Sequence, residues 1–123
     1  MTTLGILHPG QMGASLAAAA RSGGARVLWA SYGRGDATRQ RAEAEGLEDA
    51  GTLESLCGES DIVLSICPPH AARALARSVA EAGFKGLFVD ANAIAPETAR
   101  RVAEVVTEAG ADFVDGGVVG PPA

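Results

Sequence analysis

The chain has 123 residues, 47% of them hydrophobic and 20% charged, a size and balance that suit one folded domain around one core. Ten basic against fifteen acidic residues give a formal net charge of -5 with the signs interspersed, which excludes the cationic face that nucleic acid requires. No apolar run approaches the roughly 18–20 residues that span a bilayer, and two cysteines, Cys57 and Cys67, do not build a disulfide framework, so a cytoplasmic protein without a membrane partner is expected.

Met1-Thr2-Thr3 leads without a charged leader into the apolar run Leu4-Gly5-Ile6-Leu7, which stops at His8-Pro9-Gly10. From Met12 the chain is alanine-rich until Ser22-Gly23-Gly24, which reads as strand, turn, helix, stop. Val27-Leu28-Trp29-Ala30 is a second strand, Asp36 to Glu45 a helix closed by Gly46, and Leu47 to Asp49 a weak short strand. Thr52 can cap a short helix reaching about Cys57. Ile62-Val63-Leu64-Ser65-Ile66 is apolar but for Ser65 and is expected to be a strand buried on both faces.

A helix from about His70 to Ala82 ends at Gly83, and Leu87-Phe88-Val89-Asp90 is another strand. Pro96 opens the last helix, whose face is marked by Val102, Val105, Val106 and Ala109 and which Gly110 closes. Phe113-Val114 supplies a final strand, and Gly116 to Pro122 a turn-like tail. Strands and helices alternating in this way imply a doubly wound parallel α/β sheet, a single three-layer domain over residues 1–123.

Such a sheet binds ligands beyond the carboxyl ends of its strands, and its first strand-to-helix turn holds phosphate. Here that turn is His8-Pro9-Gly10-Gln11-Met12-Gly13. Against the dinucleotide pattern G-x-G-x-x-G, the second glycine is Gly10, the third is Gly13, and His8 stands at the first. Gly10 admits a pyrophosphate close to the backbone, the N–H groups after it face the anion, and Gly13 lets the helix lie on the sheet. Pro9 biases His8 to an extended conformation that tolerates a side chain, either as a donor to phosphate or ribose or as a loop histidine that simply fits. The expected architecture is therefore of the Rossmann type.

An NAD-binding turn of this kind is followed about 20 residues later by an acid that holds the ribose hydroxyls. That position is Ser31, and Ser31-Tyr32-Gly33-Arg34 offers a hydroxyl and a guanidinium instead, which suit a 2′-phosphate. NADP is expected as cofactor over NAD, with a polar surface turn as the alternative use of Ser31 and Arg34. The crowded basic stretch Arg34 to Arg41 is a cofactor or surface feature. Cys67 and His70 have C-x-x-H spacing, but Pro68-Pro69 lie between them and one further cysteine exists, so no metal is expected. Asp90 reads as a strand-end aspartate capping the loop at Asn92, and Trp29 as core.

With these residues in place, the chain resembles the N-terminal domain of the 6-phosphogluconate dehydrogenase, 3-hydroxyisobutyrate dehydrogenase and imine reductase superfamily. Gly10-Gln11-Met12-Gly13 carries the resemblance first. Val63-Leu64-Ser65-Ile66-Cys67-Pro68 is similar to that family's fourth strand and the proline loop beside the cofactor. Asp90-Ala91-Asn92-Ala93-Ile94-Ala95-Pro96 resembles its D-x-S-T-x-x-P segment, which implies Asn92 near the nicotinamide ribose. Asp115-Gly116-Gly117-Val118-Val119-Gly120-Pro121 resembles the substrate motif D-A-P-V-S-G-G, which implies Gly117, Val118 and Val119 at the substrate; the serine of that motif falls on Val119, as apolar residues do in imine reductases.

The resemblance implies an oxidoreductase that transfers hydride between a nicotinamide and a small carbonyl, hydroxyl or imine substrate, with cofactor contacts from His8, Pro9, Gly10, Gln11, Met12, Ser31, Arg34, Cys67, Pro68 and Asn92. In the family a helical C-terminal domain supplies the catalytic group and the dimer interface. The chain resembles the half without that domain, so it is expected to bind NADP without turnover, and it names no proton donor. Two other classes compete on the same residues: a non-catalytic nucleotide-binding or sensor domain, and an S-adenosylmethionine-binding methyltransferase, whose ribose carboxylate is missing near Ser31.

Overall fold

The structure is a computed structural model and describes residues 2–7, 21–31, 36–44, 46–65, 71–91 and 96–115. Six strands form one sheet: β1 (Thr3–Leu7), β2 (Arg26–Trp29), β3 (Glu48–Asp49), β4 (Ile62–Ser65), β5 (Leu87–Asp90) and β6 (Asp112–Asp115). Four helices are described between them: α1 (Asp36–Ala44), α2 (Leu53–Glu59), α3 (Ala72–Glu81) and α4 (Pro96–Glu108). Every pairing is parallel, and the order is β3-β2-β1-β4-β5-β6, the doubly wound Rossmann arrangement expected from the alternation.

The period-2 alternation of strands sorts the core onto the two faces. On one face Leu7, Leu28, Val63 and Phe88 meet Leu56 and Cys57 of α2, Ala72, Ala76 and Val79 of α3, and Val102 and Val106 of α4. Ile6, Val27 and Trp29 form the other cluster with Ala42 of α1 and Leu47. Gly5 belongs to the first face, where a Cβ would lie 2.5 Å from Ser60 Oγ and 2.6 Å from Leu56 Cδ2, so its bare backbone is what lets α2 lie on β1. Phe88 and Phe113 stack across β5 and β6 with ring centroids 6.3 Å apart.

The ends of the elements follow local chemistry. Thr52 Oγ1 accepts the Ser55 N–H at 3.2 Å and caps α2, which runs on to Glu59. Gly110 takes φ +103° after α4, a left-handed conformation that stops the helix. Two expectations shift. The helix expected from His70 begins at Ala72, with Ala71 as a cap that makes no side-chain bond. β4 is not buried evenly: Val63 and Ser65 are buried while Ile62 and Leu64 are half-buried, with Leu64 packed against the Ile6 and Trp29 cluster.

Candidate cofactor site

In an open parallel sheet the binding crevice lies where the strand order reverses. Here the reversal falls between β1 and β4, so Leu7 and Ser65, paired in register, flank it at the carboxyl ends. The same row continues through Asp90 on β5 to Asp115 on β6. Ser65 and Asp90 are both fully buried and both have polar partners, as a carboxylate in a core requires. The Ala91 N–H donates to the Ser65 carbonyl at 3.0 Å, extending the ladder to the edge of segment 92–95.

The other end of the site lies over β2 and β3. Ser31 sits two residues beyond β2, and its N–H donates to Asp49 Oδ1 at 3.2 Å. Asp49 is the last residue of β3, in register with Trp29. The Gly51 N–H donates to the same oxygen at 2.8 Å, closing an Asx turn that Gly51 enters with φ +84°. From the first turn of α1, Arg39 Nη1 approaches the second oxygen, Asp49 Oδ2, to 3.8 Å. Burial pushes the Asp49 carboxyl up, but the Ser31 hydroxyl and amide, the Gly51 amide and the Arg39 charge together outweigh it and hold the group below its ordinary value.

Three elements thus converge on one carboxylate beside the position where the sequence places the ribose. Hydroxyl, carboxylate and guanidinium are the donor and acceptor set that an adenosine ribose needs, with or without a 2′-phosphate, so the residues present fit a dinucleotide at this end.

Ser31 is the predicted cofactor residue that falls within the described residues. His8, Pro9, Gly10, Gln11, Met12, Gly13, Arg34, Cys67, Pro68, His70 and Asn92, with the substrate residues Gly117, Val118 and Val119, lie outside them. Asp49 went unnoticed in the sequence because a two-residue strand carries no periodic signal, and nothing local says that it ends beside Ser31. Arg39 had a partial signal in the basic stretch from Arg34 to Arg41. Trp29 is core, 1% exposed. Cys57 is buried in the first-face core, where burial, with a smaller contribution from Glu54, pushes its thiol up to about 11. Among the described residues no cluster of histidine, cysteine and carboxylates could hold a metal, and no helix is long and apolar enough to cross a membrane.

The sheet order and the polar cluster at its carboxyl edge define a dinucleotide-binding domain. The comparison with known families gives the particular one: residues 3–123 match the NAD binding domain of 6-phosphogluconate dehydrogenase, and the chain belongs to that family. Among solved structures it is similar to MTH1747, a conserved protein of unknown function described as structurally similar to 3-hydroxyacid dehydrogenases, with 31% identity and a TM-score of 0.83 over 92% of this chain and 42% of that one. The Streptomyces aurantiacus imine reductase aligns at 26% identity and TM-score 0.82 over 98% of this chain and 42% of that one. The Mycobacterium tuberculosis 3-hydroxyisobutyrate dehydrogenase aligns at 25% identity and TM-score 0.78, over 92% and 39%. A search among curated proteins finds no match. The chain therefore spans about two fifths of the length of these structures.

Proposed function

We propose that this chain is the NADP-binding part of a cytoplasmic oxidoreductase that moves hydride between nicotinamide C4 and a small carbonyl, hydroxyl or imine compound. The observation that carries the reading is the strand reversal between β1 and β4 in a chain whose residues 3–123 match a nicotinamide-dinucleotide domain. The bound nicotinamide supplies the hydride chemistry, and the protein supplies grip and orientation. In this reading Gly10 to Met12 hold the pyrophosphate, helped by His8 and Pro9, and Ser31 with Arg34 holds the adenosine ribose and its 2′-phosphate. Cys67, Pro68 and Asn92 line the nicotinamide half, and Gly117 to Val119 face the substrate. The complete enzyme is a homodimer.

A thermal-shift titration with NADPH, NADH and S-adenosylmethionine tests it. Ligand at 100 times its dissociation constant stabilises the fold by about 2.7 kcal/mol. NADPH is expected to raise Tm at lower concentration than NADH, with no effect of S-adenosylmethionine. Tighter NADH binding overturns the NADP preference, and no response to either dinucleotide overturns the reading as a whole.

A further inference from the structure

We propose that Asp49 and Arg39 together set which dinucleotide this site prefers: Arg39 is a further cation, in addition to Arg34, that meets a 2′-phosphate, and Asp49 is the β3 carboxylate that links Arg39 to Ser31 and opposes the phosphate charge. The proposal rests on the reading that the chain binds a nicotinamide dinucleotide, and not on which of the two it prefers.

The geometry gives the two oxygens of Asp49 different work. Oδ1 accepts from the Ser31 and Gly51 amides at 3.2 and 2.8 Å, which fixes the carboxylate against the loop that leaves β2. Oδ2 is left to Arg39, but at 3.8 Å, beyond hydrogen-bond distance, and the two side chains remain 46% and 38% exposed. So loose a pair is easily exchanged. A phosphate dianion offers the guanidinium a bidentate, charge-assisted partner in place of one distant oxygen. A ribose with free hydroxyls instead offers donors, which Oδ2 accepts while the same charge repels a phosphate. Arg39 therefore favours NADPH, Asp49 favours NADH, and their balance lies in two residues from different elements that meet beside Ser31.

The test is the ratio of NADPH to NADH dissociation constants, measured by calorimetry at low ionic strength for wild type, Arg39→Ala and Asp49→Asn. Asp49→Asn keeps an oxygen to accept from Ser31 and Gly51 and removes only the charge. Arg39 is exposed on a helix, so Arg39→Ala retains the fold. Arg39→Ala is expected to weaken NADPH by roughly tenfold with NADH changed less than about twofold, and Asp49→Asn to move the ratio toward NADPH by a similar factor. Equal changes for both cofactors in both variants, or an unchanged ratio, overturn the proposal. The wild-type ratio alone tests the NADP reading: a wild type that prefers NADH overturns that preference, while shifts of the ratio in the expected directions still support the roles of Asp49 and Arg39. A protein that binds neither dinucleotide overturns both.

Discussion

Gly5 is the residue on which the approach of helix to sheet depends. A methyl group there lies 2.5 Å from Ser60 Oγ and 2.6 Å from Leu56 Cδ2, and Leu56 is fully buried, so the Ser60 and Leu56 side chains, or α2 with them, must shift. Gly5→Ala is expected to cost about 1–3 kcal/mol in urea unfolding, the range of an overpacked core. Cys57 makes a second prediction at this scale. Its thiol, pushed up to about 11 in the fold against 9.0 in the open chain, stays protonated where the unfolded chain ionises. Its stabilisation is complete below about pH 9 and is lost as pH rises toward 11, on the order of 2 kcal/mol in all. Alkylation followed by peptide mapping at pH 8 should leave Cys57 unmodified in the folded protein and modify it in urea. Labelling of Cys57 at equal rates in both states would contradict its burial.

At the scale of elements, the caps and turns around β3 and α2 hold the sheet edge beside Ser31 together. Thr52 Oγ1 takes one orphan N–H of α2, and Thr52→Ala is expected to lower stability by about 1 kcal/mol with little change in either cofactor's affinity, because the bond it removes is to Ser55 and not to Asp49. Gly51 is different. Its φ of +84° aims its N–H at Asp49 Oδ1, so Gly51→Ala strains the turn by about 1 kcal/mol and loosens the carboxylate that anchors Ser31. The expected outcome is a modest fall in Tm accompanied by a changed NADPH to NADH ratio, read in the same titrations. Asp49 also contributes on the acid side. Its lowered value means that its stabilisation is present above the ordinary 3.8 and is lost as pH falls through the folded value, which Asp49→Asn removes from the acid-unfolding curve.

Across the whole molecule, two apolar clusters share one six-stranded sheet, so neither face can be lost without exposing the other. Trp29, the single tryptophan, is 1% exposed on the face with Ile6 and Val27, whereas Phe84, Phe88, Val102 and Val106 fill the opposite face. Tryptophan emission is therefore expected to shift to the red on unfolding and to follow the same urea midpoint as far-UV circular dichroism. Separate midpoints would mean that the faces come apart independently. Surface ion pairs add little to this cooperativity: Arg26 reaches Glu48 at 2.7 Å and Glu59 at 3.9 Å, but all three side chains are exposed.

The periodicity of the chain by itself determined the alternating α/β architecture, the strands of both core faces, the Thr52 cap and the glycine that ends α4, because these depend on residues close in sequence. The match of Gly10 and Gly13 to a phosphate turn rests on adjacent residues alone and lies outside the described residues. What the tertiary structure alone decided is the strand order, the uneven burial of β4, and the meeting of Ser31, Arg39 and Asp49. Asp49 stands 18 residues beyond Ser31, in a strand too short to signal itself, and only parallel pairing of β2 with β3 turns that separation into a hydrogen bond. Local pattern specifies elements; the carboxylate that meets Ser31 is specified by which strands lie side by side.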